Sequence, residues 1–331
     1  MIAAFIIPTG IGCKIGGHAG DATPAARLVA RVCDELIVHP NVVNASDINE
    51  MTDNMLYVEG SMLDRLLRGE IGLKRVRSNR LLVAVNSPIQ PETVNAVSAA
   101  RSILGVQAEI VELKVRLRLV GILKENGATG EVTGWEELVE QVRPYDFDAL
   151  AIASEIEVPA ELAMTYLRNG GINPWGGVEA IASKTISRAL NKPVAHAPVQ
   201  FIRFEDNPEL YLFNEVVDPR IAAEAVSMAY LHCVLKGLSR APIIGDDITV
   251  DDIGVLVSPY GCFGPPHAAC IERNIPVIVV EENTTALKLV SDKFIVASTY
   301  MEAAGMVAAL EAGLSFESLK RPLPATLIHS D

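Results

Sequence analysis

Long hydrophobic runs are missing from this chain. Half of its 331 residues are hydrophobic, yet the longest apolar runs, such as Leu81 to Val85 and Ile275 to Val280, stop at strand length, far short of a bilayer crossing. Buried strands are expected, and no membrane partner. Met1 to Pro8 are apolar, but no basic stretch precedes them and no small-residue cleavage site follows, so a signal peptide is not expected. Positive charge is scarce as well. The 28 lysines and arginines against 41 aspartates and glutamates leave a formal net charge of −13, which repels a phosphate backbone. No basic block interleaved with aromatics is present, so nucleic acid is not an expected partner. Lys74, Arg75, Arg77 and Arg80 form a short basic cluster that reads as a solvated connector before a strand.

Pairing patterns are absent too. The five cysteines, Cys13, Cys33, Cys233, Cys262 and Cys270, are odd in number and show no C-x-x-C spacing, in a chain large enough to need no stapling. A reducing cytoplasm or organelle stroma fits this usage, and the expected localisation is cytoplasmic. The six histidines form neither H-x-x-x-H nor H-E-x-x-H, so no metal site is expected. No Gly-x-Ser-x-Gly elbow appears, which argues against an α/β-hydrolase. No period of 20 to 50 residues repeats, excluding solenoids and propellers.

What the chain does contain is a rhythm. Short β-branched runs are each followed by a glycine or proline loop and then a helical pattern, the signature of βα units. Strands are expected at Ala3–Pro8, Leu36–His39, Leu81–Asn86, Glu109–Leu113, Ala149–Ala153, Pro193–His196, Gly254–Ser258 and Val277–Glu281. Helices are expected at Pro24–Glu35, Pro91–Leu104, Trp135–Val142, Ala160–Asn169, Gly177–Leu190, Ile221–Leu238, Pro266–Asn274 and Tyr300–Ala312. The fold class is α/β, with a mainly parallel, Rossmann-like sheet flanked by helices. It forms one unit over residues 1–331 or two lobes, 1–145 and 146–331. The helix from Ile221 is apolar nearly all round, so it is either central or covered by a second subunit; a homo-oligomer is expected.

The densest chemical signal is the loop from Thr9 to Pro24. Gly10, Gly12, Gly16, Gly17 and Gly20 let the backbone approach a ligand, and Thr23 before Pro24 predicts a capped helix whose amino end favours an anion. Ile15 stands where a dinucleotide fingerprint needs its third glycine, and His18 where a P-loop needs lysine, so neither motif is met. His39, Asn41 and Asn44 follow the next strand at the edge where parallel sheets gather ligands, although turns and caps account for part of that cluster. Gly261, Cys262 and His267 follow a third strand, and Glu281 and Asn283 end a fourth. A cysteine and histidine five apart can activate a thiolate, or simply cap a helix. Gly176 and Gly177 open another helix beside Trp175, with Glu179 and Lys184 as acid–base or anion contacts or as solvated residues. His232 and Cys233 read as core.

At these same loops the chain resembles an uncharacterised family, a domain of unknown function, found chiefly in cyanobacteria and plastids. The shared stretches are Ile7-Pro8-Thr9-Gly10-Ile11-Gly12, Ile15-Gly16-Gly17-His18-Ala19-Gly20-Asp21-Ala22, His39-Pro40-Asn41-Val42, Tyr57-Val58-Glu59-Gly60 and Ser258-Pro259-Tyr260-Gly261-Cys262-Phe263-Gly264-Pro265. The resemblance implies a photosynthetic or bacterial cytoplasmic setting and supplies no activity or catalytic residue.

The residues point to an enzyme acting on a small phosphate- or carboxylate-bearing metabolite, of isomerase, racemase or lyase type. His18, Asp21, His39 and Cys262 are the catalytic candidates, with Cys13 behind them, and no cofactor can be named. A two-thiol proton transfer is one version, should Cys13 and Cys262 face each other across the substrate. The alternative is a non-catalytic nucleotide or metabolite sensor acting through an oligomer interface on the helix from Ile221.

Overall fold

The computed structural model describes residues 1–17, 20–199, 216, 230–323 and 325–328. From the amino end the elements are β1 (Ile2–Phe5), α1 (Thr23–Ala30), β2 (Glu35–Val38), β3 (Met55–Tyr57), α2 (Gly60–Leu67) and β4 (Leu73–Lys74). The middle of the chain supplies β5 (Leu81–Asn86), α3 (Pro91–Leu104), β6 (Ala108–Leu113), β7 (Arg118–Lys124), β8 (Gly127–Thr133) and α4 (Trp135–Val142). It continues through β9 (Ala149–Ser154), β10 (Ile156–Glu157), α5 (Ala160–Asn169), α6 (Gly176–Leu190) and β11 (Val194–Pro198). After α7 (Tyr230–Leu238) come β12 (Ile243–Ile244), β13 (Ile253–Tyr260), α8 (Pro265–Glu272), β14 (Val277–Thr284), β15 (Ile295–Ala297), α9 (Tyr300–Glu311) and α10 (Phe316–Leu319).

The fold is α/β, and its parallel strands divide between two sheets. A six-stranded sheet runs β15-β14-β13-β1-β2-β3 and a four-stranded sheet runs β11-β9-β5-β6, with parallel neighbours throughout both. The larger sheet joins both ends of the chain and the smaller one uses its middle. A cut near residue 145 would part β5 from β9, whose pairing runs from Leu81 opposite Ala149 to Val85 opposite Ala153.

Strand periodicity explains the layers. Ala3, Phe5 and Ile7 pack with Val255, Val257, Ile278 and Val280 under α1 and α9. Ala4 and Ile6 point the other way, onto Met62, Leu63, Leu66 and Leu67 of α2 and Cys270 of α8. The smaller sheet repeats the scheme. Leu81, Val83 and Val85 meet α3 and α7, while Leu82, Ala84, Leu150 and Ile152 meet α4 and α6. Strands covered on both faces need apolar residues at every position, hence the continuous runs in the sequence.

All eight expected strands and the expected helices form, with shifted ends. For the helix expected at Ile221–Leu238, residues 230–238 are helical and 221–229 lie outside the described residues. Several elements went unpredicted: α2, the short edge strands and the β7–β8 hairpin, which pairs from Arg118 opposite Thr133 to Lys124 opposite Gly127. One sheet feature locates the site. The chain runs from β1 outward to β2 and β3, then returns on the other side of β1 as β13, β14 and β15. The loops after β1 and β13 therefore stand at the switch point in strand order, the place where parallel sheets commonly gather ligands.

Candidate functional site

The glycine-rich loop after β1 has two halves with different roles. In the second half the amides of Lys14, Ile15, Gly16 and Gly17 donate to Thr284 O, Asn283 Oδ1, Asp21 Oδ1 and Asn41 O, at 3.0, 2.8, 2.6 and 3.0 Å. Asn283, fully buried, clasps the loop further by donating from Nδ2 to Ile15 O and to the Tyr300 hydroxyl. Asn41 donates to Ile7 O and Thr9 Oγ1, both at 2.9 Å. Gly16, Gly17, Asn41, Asp21 and Asn283, expected as ligand or catalytic groups, thus hold the loop in shape. Gly20 packs against the Asp47 carboxylate and the Asn44 amide, and Asn44 itself accepts from Ser46 N.

Thr23 corrects another expectation. It is the first residue of α1, Ala22 stands at the cap, and no side chain caps the helix. The Thr23 hydroxyl instead donates to Gly20 O at 2.7 Å and to Asp47. The Thr23 side chain therefore does not cap the helix read from the sequence as the anion seat.

The first half of the loop is different. Among the described residues, the amides of Thr9, Gly10, Ile11, Gly12 and Cys13 have no acceptor. Their neighbour is the amino end of α6. A side chain at Gly10 would come within 3.3 Å of Gly177 N, and one at Gly176 within 2.9 Å of Thr9 Cγ2. Asn173 Oδ1 accepts from Trp175 N and Gly176 N, whereas the next two amides, of Gly177 and Val178, have no acceptor among the described residues. Gly177 and Val178 are buried, and a buried helix terminus with unsatisfied amides calls for a partner. The β7–β8 hairpin closes this corner, Ala128 N donating to Gly10 O at 2.8 Å.

The third predicted loop forms a tight buried cluster. Ser258 Oγ lies 2.8 Å from His267 Nε2 and 3.2 Å from Cys262 Sγ, with Sγ 3.7 Å from the same nitrogen. Gly264 N donates to His267 Nδ1 at 3.2 Å. With Nδ1 accepting, the proton of a neutral ring sits on Nε2, so His267 donates to Ser258 and has no lone pair there for the thiol. Burial pushes Cys262 up to about 11 and His267 down to about 4. Burial raises Cys13 as well, with a smaller contribution from nearby Cys262. Both sulfurs are thus held as thiols, which are poor nucleophiles. Gly261 O accepts from the buried Thr285 hydroxyl.

The remaining candidates scatter. Glu281 is exposed on β14. His39 accepts from Asn41 N through Nδ1 at 3.1 Å, its Nε2 faces Gly60, and burial lowers it to about 4. His18 lies outside the described residues. Among the described residues no group of three His, Cys, Asp or Glu side chains is arranged to hold a metal ion, and no helix is long and apolar enough to cross a membrane.

One constellation escaped the sequence reading. Ser154 ends β9, His196 lies on the neighbouring β11, and Glu179 stands in the first turn of α6. Ser154 Oγ is 3.0 Å from His196 Nε2, and His196 Nδ1 is 3.2 Å from Glu179 Oε1. The serine and histidine are buried, and Ser154, with Asn86, Ser87, Thr93 and Arg116, lines a cavity of about 60 Å³. The sequence marks Glu179, with Lys184, as an acid–base or anion contact or a solvated residue. The other two carry no local pattern, because 42 residues separate Ser154 from His196. Gly176 and Glu179 are three residues apart and share a helix face, so one turn of α6 touches both the open glycine loop and this histidine.

The family model described as "Protein of unknown function (DUF3326)" matches residues 2–320. The chain is also similar to a protein of Synechococcus sp. (strain ATCC 27144 / PCC 6301 / SAUG 1402/1) named an uncharacterized lipoprotein. The two are 34% identical over 339 residues, covering 95% of this chain and 92% of the relative. No solved structure matches the chain significantly.

Proposed function

Because the chain belongs to the DUF3326 family, whose function is unknown, we propose a reading from the site itself: an enzyme that binds a small phosphate- or carboxylate-bearing metabolite. The anion sits between the Thr9–Cys13 amides and the amino end of α6. One observation carries this. Among the described residues, five successive loop amides and the buried Gly177 and Val178 amides lack acceptors, the two runs meeting where Thr9 and Gly10 pack against Gly176 and Gly177, and such amide groups attract anions. Acid–base rather than thiol chemistry is favoured, because burial holds Cys13 and Cys262 protonated while His196 is paired with Glu179 beside the same helix turn.

Titration of the isotope-labelled protein with inorganic phosphate tests the reading by amide chemical shifts. Shifts concentrated at Gly10–Cys13, Gly177 and Val178 are expected. Saturating phosphate that moves other amides and leaves these still would overturn it.

We assign the chain to the cytoplasm on its five free cysteines.

A further inference from the structure

We propose that Ser154, His196 and Glu179 form a nucleophilic relay that cleaves short-chain carboxylic esters at the carboxyl edge of the four-stranded sheet. This stands on the relay's own geometry and goes beyond the anion-binding reading. A carboxylate only accepts, so Glu179 requires the His196 proton on Nδ1. The Nε2 of that neutral ring then holds a lone pair, and the Ser154 hydroxyl 3.0 Å away donates to it. This is the tautomer a general base needs, with both spacings inside the hydrogen-bonding range. His267 beside Ser258 shows the contrast: an amide donor on Nδ1 forces the opposite tautomer, and that pair cannot work this way.

The surroundings supply the other parts. Ser154 lines the small cavity, whose limited volume favours a short acyl chain. Arg116 lines the same cavity and pairs with Glu155, the residue after the serine. Its guanidinium brings a cation to the cavity lining, the charge type that stabilises a developing oxyanion. Burial of the serine and the imidazole keeps bulk water from competing for their hydrogen bond.

The reaction balances without a cofactor. Ser154 Oγ bonds to the ester carbonyl carbon while its proton passes to His196 Nε2. Collapse of the tetrahedral adduct breaks the bond from carbon to the alkoxy oxygen, and the alcohol leaves with that proton. A water molecule then attacks the acyl-serine, giving its proton to His196; release of the carboxylic acid returns a proton to Ser154. Glu179 acts as a positioning residue, fixing the ring and stabilising its cationic form.

The test treats the full chain with a fluorophosphonate, an active-site-directed reagent for serine nucleophiles, and maps the adduct by peptide mass spectrometry. Hydrolysis of p-nitrophenyl acetate is followed in parallel. We expect a single adduct on Ser154, none with Ser154→Ala, and ester hydrolysis lowered by a factor on the order of 10³ or more in that variant. Glu179→Gln should lower turnover by about 10² or more and move the midpoint of its pH profile, which a merely structural carboxylate would not do. Absence of a Ser154 adduct on the folded wild-type chain overturns the proposal, as does labelling of Ser154 that Glu179→Gln leaves unchanged. Either outcome leaves the phosphate titration unaffected, so this proposal and the anion-binding reading fail separately.

Discussion

Two histidines in similar surroundings behave differently because of one atom each. His267 and His196 both present Nε2 to a buried serine, but an amide donor faces Nδ1 of the first and a carboxylate faces Nδ1 of the second. Residue chemistry here is set by what lies behind the ring, which composition and spacing do not reveal. Glu59 shows the same dependence on surroundings. Its carboxylate caps α2 by accepting from Ser61 N and Met62 N at 3.0 and 3.3 Å, yet it is almost fully buried, and burial raises it to about 7. A carboxyl group raised in the folded state binds more protons there than in the unfolded chain, so its contribution to stability falls as pH rises from about 4.5 to about 7. Glu59→Gln keeps an acceptor for the cap and removes this titration. Denaturant unfolding should therefore show the variant gaining on wild type between pH 5 and pH 8, by up to about 3 kcal/mol. A stability difference that stays constant over that range would refute the assignment.

At the scale of elements, close approach decides. A β-carbon on Gly177 would overlap the backbone of Ala128 and Thr129, so α6 and the β7–β8 hairpin meet there without room for a methyl group. Gly305 lies exposed in α9 with open space around it. Gly177→Ala should cost about 3 kcal/mol or more through overpacking, whereas Gly305→Ala should add about 0.5–1 kcal/mol from helix propensity. Thermal unfolding of both variants checks the opposite signs. The core strands and most helices were legible because their apolar runs and helical patterns are local. The hairpin also had a local signal, Asn126-Gly127 at its turn, of the type that favours tight hairpins. It was obscured because β8, with burial largely intermediate, lacks an apolar run. The glycine loop was legible as a loop, but which of its amides remained open depended on Thr284, Asn283 and Asn41, all distant in sequence. The relay was illegible for the same reason, since strand pairing and the start of α6 bring its members together.

For the whole molecule, the important fact is that the larger sheet is closed by both ends of the chain. Ile2 pairs with Ile253 on one side and Glu35 on the other, so contacts across on the order of 250 residues complete the core, a topology associated with slow folding. Ribosome-bound chains stalled before residue 250 should leave β1 open to proteolysis, and chains extended past β14 should protect it. Protection of β1 in the shorter chains would count against this order of assembly.

A strand made early and completed late spends its waiting time with an apolar edge available to other chains. The middle of the polypeptide, whose four-stranded sheet uses only residues 81–198, can condense during that interval without it. Synthesis in the cell thus favours a scaffold that ripens from its interior outward, with the glycine loop after β1 gaining its clasp on Asn283 only at the final stage. The clasped shape of that loop therefore reports that manufacture is finished.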